Sequence, residues 1–78
     1  MSHDTSEKIV RMANQIATFF EVQPGDGAAA VAAHLNENWS VPMRAGLAAQ
    51  IAAGAGGVHP LVAAAMPLIR TARVPVAG

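Results

Sequence analysis

Apolar residues recur along the chain at helical intervals, in four blocks divided by proline and glycine. In the first block Ile9, Met12, Ala13, Ile16, Ala17 and Phe20 return every three or four residues, which places them on one face of an amphipathic helix. Asp4 followed by Glu7 has the spacing of a capping box at its start. The run Pro24-Gly25-Asp26-Gly27 predicts its end near Glu21, because proline disfavours helical geometry in the residue before it and glycine supplies turn conformations. Asp26 then suits the amino-terminal cap of a second helix with Val31, Leu35 and Trp39 on its stripe, and with Asn36 and Glu37 towards water.

Ser40-Val41-Pro42 interrupts the pattern. Val41 is expected to be extended ahead of Pro42, and Pro42 suits the first turn of a third helix whose stripe is Met43, Leu47 and Ile51. Gly54-Ala55-Gly56-Gly57 closes that helix, and Pro60 opens a fourth segment with Leu61, Val62, Ala65, Met66 and Ile69 inward. Pro67, inside that segment, removes a backbone donor and is expected to kink or split it, with Arg70 and Arg73 suited to its carboxyl end. No stretch alternates with period two for long enough to make a strand, and no repeat recurs at a fixed spacing. The pattern predicts an all-α single domain over residues 1–78, about four short helices arranged as helical hairpins, with 74–78 as a loose tail.

Composition alters this picture in one respect. Hydrophobic residues make up 53% of the chain, but many are alanine, which favours helices while burying little area, so a thin core is expected. At 78 residues, folding buries only about 60% of the unfolded chain's surface. Cysteine is absent, which removes disulfides and thiolate metal sites and points to a reducing compartment. The segment from Met1 to Arg11 lacks the apolar stretch of a signal peptide, and Arg44, Gln50 and Arg70 interrupt the apolar second half before it reaches membrane-spanning length. A cytoplasmic protein without a membrane partner is expected. Five basic side chains against five acidic ones leave no face able to neutralise a row of phosphates, which argues against nucleic acid.

Catalysis by ordinary routes requires a nucleophile, a base and an orienting group, or a metal with three or four ligands, and the sequence displays neither set. His3, His34 and His59 are dispersed. His34, on the second helix, suits either a partner's carboxylate or a cofactor phosphate, or else packs its ring beside the Trp39 stripe; His59 reads as a loop residue. The glycine run at 54–57 has no preceding strand and no following Lys-Ser/Thr, so it reads as a linker rather than a phosphate cradle.

Binding is better represented. Asn14 and Gln15 flank the apolar stripe of the first helix, where an unsatisfied buried amide costs about 1 to 3 kcal/mol, so each faces water or a bonding partner. Arg44 sits at the start of the third helix, against that helix's dipole, and calls for an external acidic or carbonyl partner. Trp39 is either a core anchor or an interface hot spot. Phe19 and Phe20 are adjacent and about 100° apart around the helix, so one of them is expected to face a partner. Val10, Phe19 and Val62 together exceed what so small a core needs, which suggests an apolar patch covered in a complex.

Three stretches carry a family resemblance: Lys8-Ile9-Val10-Arg11-Met12-Ala13-Asn14-Gln15-Ile16; His34-Leu35 leading to Trp39 and Pro42-Met43-Arg44; and Val58-His59-Pro60-Leu61-Val62. In order and spacing they resemble the delta subunit of cytoplasmic NAD-dependent formate dehydrogenases. The resemblance implies a non-catalytic accessory subunit that supports assembly, cofactor insertion or stability of the catalytic alpha subunit. It also implies partner contacts through Asn14, Gln15, Phe19, Phe20, His34, Trp39, Met43 and Arg44. The complex so implied carries a bis-molybdopterin guanine dinucleotide with molybdenum or tungsten, iron-sulfur clusters, FMN and NAD, none of them bound by this chain. The alternative is a free-standing helical module, homodimeric in isolation or binding a peptide, with no link to metal chemistry.

Overall fold

The computed structural model describes the backbone of residues 2–71 and the side chains of residues 7–71. Four helices, α1 (Ser2–Glu21), α2 (Gly27–Asn38), α3 (Val41–Ala52) and α4 (Pro60–Ala65), are followed by one turn of 3-10 helix (Met66–Leu68). The described residues contain no strand, and the fold is all-α. Arg73 and the 74–78 tail lie outside the described residues.

Local chemistry explains most boundaries. Asp26 is extended and its Oδ1 accepts the Ala29 N–H at 3.1 Å, which satisfies one of the free donors at the start of α2. Ser40 Oγ does the same for α3, accepting from the Met43 N–H at 3.3 Å. The extended residue at this break is therefore Ser40 and not Val41: α3 begins at Val41, and the Ser40 cap overrides the bias that Pro42 places on the residue before it. Another correction falls at the start of α1. The backbone is already helical at Ser2, so Asp4 lies inside the first turn rather than ahead of it, and its side chain is outside the described ones. Pro67 splits the last segment as expected, since α4 stops at Ala65 and the 3-10 turn takes over. Gly54 and Gly57, at φ of +86 and +73, reverse the chain between α3 and α4 in a region that side chains with a Cβ rarely enter.

α1 is the spine of the packing, touching α2, α3 and α4, while α2 lies against α4 and the 3-10 turn. The face α1 turns inward is centred on Ala13 and Ala17, both fully buried, and these small side chains let the neighbouring helices approach. Leu35, Leu47, Val31 and Val62 are the largest side chains with no exposure, and Ile9, Trp39, Ala65 and Ile69 complete the core. Val62 thus belongs to the interior, not to a surplus surface patch. Met12, which the helical period counts among the inward positions, is at the rim with 37% exposure, because it stands about 100° around the helix from Ala13. No helix among the described residues is long and apolar enough to cross a membrane.

Candidate partner-binding site

Of the eight residues expected at an interface, the structure turns some inward and leaves others on one flank of α1. Arg44 is 6% exposed and lies at the carboxyl end of α2. Its Nη1 donates to the carbonyls of Leu35 at 3.4 Å, Asn36 at 3.1 Å and Trp39, and its Nε donates to the Arg70 carbonyl at 2.6 Å. The carbonyl partners that its position calls for are therefore inside the chain. A cation placed badly for the helix that carries it is placed well for the preceding one, whose last carbonyls concentrate negative partial charge. Trp39, 8% exposed, is the carboxyl cap of α2, and its backbone N–H reaches the Leu35 carbonyl.

Asn14 is likewise spent internally. Its Nδ2 donates to the Gly57 carbonyl at 2.6 Å and its Oδ1 accepts the His59 N–H at 2.9 Å, so one carboxamide brackets the loop between α3 and α4. His59, read from sequence as a loop residue, is the amino-terminal cap of α4: its Nδ1 accepts the Leu61 N–H at 3.0 Å. An accepting Nδ1 places the ring proton on Nε2, which lies 3.5 Å from Glu21 Oε1. The signal for this cap was present, since His59 immediately precedes a proline suited to the first helical position. Asn36, expected in water, is half-buried and bonds the Leu68 carbonyl and the Arg70 N–H; nothing in its helical position announced this. Replacing Asn14 by alanine is expected to lower stability by about 1 to 3 kcal/mol and to speed hydrogen exchange at the His59 amide. An exchange rate at that amide unchanged from wild type would show that the glycine loop holds its own shape.

What remains outward is apolar. Met12, Ile16 and Phe19 follow one another at i, i+4 and i+7 along α1, with Met12 37% and Phe19 60% exposed and Ile16 half-buried. Phe20 is half-buried, its ring edge-on to Phe19 at 5.1 Å and to His34 at 6.0 Å between centroids. The half-buried His34 therefore packs against Phe20. Gln15 is exposed, one turn before Phe19, and Met43 is half-buried on α3. Among the sequence-derived candidates the structure brings Phe19, Phe20 and His34 into contact, and it adds Met12, which the helical period assigned to the core. On the other side of α1 a shallow cleft of about 430 Å³, lined by Glu7, Arg11, Asn14, Gln50 and the glycine loop, is open to solvent. No three His, Cys, Asp or Glu side chains come together among the described residues.

The family model for the NADH-dependent formate dehydrogenase delta subunit, FdsD, matches residues 8–66. The chain belongs to this family. No curated protein matches it. The FdsD match begins one turn before Met12 and runs to the first residue of the 3-10 turn, so it includes the apolar flank, the Asn14 bracket and Arg44. Residues 68–70 lie beyond it.

Proposed function

We propose that this chain is a non-catalytic accessory subunit of an NAD-dependent formate dehydrogenase, docking on the catalytic alpha subunit and supporting its assembly, cofactor insertion or stability in the cytoplasm. Membership of the delta-subunit family carries the reading. The docking element is the outward flank of α1, where apolar side chains at i, i+4 and i+7 have the spacing of a helix laid into a partner's groove, with Gln15 and His34 as polar neighbours. Aromatic anchors such as Phe19 contribute most to such contacts, because they bury a large rigid surface at little cost in rotamer entropy.

The metal-pterin, iron-sulfur, flavin and NAD chemistry of the complex belongs to its other subunits. Among the described residues no three His, Cys, Asp or Glu side chains converge, and Glu21, His59 and His34 are engaged as an ion-pair partner, a helix cap and a ring contact. In this reading formate oxidation takes place outside this chain, which acts on the geometry or lifetime of its partner.

Expressing the complex with and without this chain tests the role. Loss of the chain is expected to lower the metal content of the alpha subunit or the yield of intact complex, and the chain is expected to co-purify in fixed ratio. Unchanged metal content, activity and integrity in its absence would sink the proposal.

A further inference from the structure

Leu68 ends the 3-10 turn and Ile69 is extended, at φ −90 and ψ 129, so that residues 68–70 form a strap. The strap is held chiefly by its main chain. Asn36 Nδ2 donates to the Leu68 carbonyl at 3.0 Å, Asn36 Oδ1 accepts the Arg70 N–H at 2.9 Å, and Arg44 Nε donates to the Arg70 carbonyl at 2.6 Å. Between these contacts Ile69 is buried to 6% exposure, while Leu68 and Arg70 are exposed. A carboxamide spanning the C=O and N–H of the two residues that flank a buried side chain reads an extended chain as an added strand does. The polar groups recognise backbone, and one apolar seat recognises the side chain.

None of these contacts depends on the strap belonging to the same chain. Pro67 lacks the N–H that would continue the ladder of α4 into the strap. Among the described residues one largely buried side chain, three hydrogen bonds to α2 and α3, two of them at the surface, and the Ile69 N–H to the Met66 carbonyl at 3.1 Å hold it, which is the profile of a segment that opens without unfolding the rest.

We propose that α2 and α3 carry an extended-peptide clamp, made of Asn36, Arg44 and the Ile69 seat, that residues 68–70 occupy in cis and that an extended segment of a partner protein, with a branched aliphatic residue at its centre, occupies in their place. The strap is its internal competitor and weakens the partner's apparent affinity by the fraction of time the clamp is closed. The clamp uses neither the α1 flank nor residues beyond the family match, apart from the strap itself, so it stands whether or not the delta-subunit role holds.

The test uses the full isotope-labelled chain and an unlabelled hexapeptide copying residues 66–71. Millimolar peptide is expected to shift the Asn36 side-chain and Arg44 Nε resonances saturably, and the same peptide with Ile69→Asp is expected to leave them in place. In the free protein the Arg70 amide is expected to exchange at least about 10-fold faster than the Leu35 amide. Asn36→Ala, shown to be folded by its core resonances, is expected to lose the peptide response. Absence of a shift with the wild-type peptide, an equal response to the aspartate peptide, or an Arg70 amide as slow as that of Leu35 overturns the clamp. If the same resonances move on concentration alone and a dimer sediments, the occupant is a second copy and the assignment to a partner protein is overturned.

Discussion

Arg44→Ala is expected to remove about 3 to 5 kcal/mol of folding stability, since hydrogen bonds from a charged donor contribute roughly 1.5 to 3 kcal/mol each and are less than additive in one cluster. Four carbonyls lose the guanidinium at once, three at the end of α2 and that of Arg70 in the strap, and of these Leu35 keeps the Trp39 N–H. A chain of this length has a total stability of roughly 4 to 12 kcal/mol, so the loss is a large part of the whole. By the usual scaling, the midpoint of thermal unfolding should fall by roughly 12 to 40 °C. Arg44→Lys is expected to recover only part of this, because a single ammonium on a flexible stem cannot reproduce a planar fork that addresses four acceptors. Thermal melts followed by circular dichroism decide the point. A midpoint for Arg44→Ala within a few degrees of wild type would mean that water replaces the guanidinium at little cost.

Phe19→Ala is expected to do the opposite, weakening association while sparing the fold. Its side chain is 60% exposed and its ring touches Phe20 edge-on, so truncation should change stability by no more than about 1 kcal/mol. As an anchor in a partner's groove the same ring contributes on the order of 2 to 4 kcal/mol, or roughly 30- to 1000-fold in Kd. Val22→Ala provides the control, since Val22 is even more exposed at 76% but lies beyond the end of α1. Affinity for the purified alpha subunit, measured by titration calorimetry beside a melt of each variant, separates the two effects. Equal affinities for wild type, Phe19→Ala and Val22→Ala would remove the α1 flank from the interface.

The contrast between these two residues shows where sequence reasoning succeeds. That one phenylalanine of the adjacent pair turns outward is legible from helix geometry, since two neighbours about 100° apart cannot both point at the same core, but that it is Phe19 and not Phe20 is seen only in the structure. Arg44 was half legible. Its conflict with the dipole of its own helix announced a need for acceptors, but not that the preceding helix would supply them. Asn14 belongs to the same class: the sequence leaves its amide facing either water or a bonding partner, and the actual partner, a loop 43 residues away, is invisible there. For Asn36 the sequence pointed the wrong way: its helical position leans towards solvent, and only the return of residues 68–70 gives it something to bind.

Helix number, the caps at Asp26 and Ser40, the break at Pro67 and the buried stripe Val31, Leu35 and Trp39 were determined by the sequence alone, because each depends on hydrogen bonds or periodicity within a few residues. The family resemblance was carried there as well, in the order of three short stretches that the match over residues 8–66 encloses. Only the tertiary structure decided which polar groups are spent. Arg44, Asn14 and Asn36 each join segments far apart in the chain, and their partners are backbone carbonyls and amides, which every residue carries and which therefore leave no mark in sequence. With those groups bonded internally, what α1 leaves outward is the apolar flank of Met12, Ile16 and Phe19.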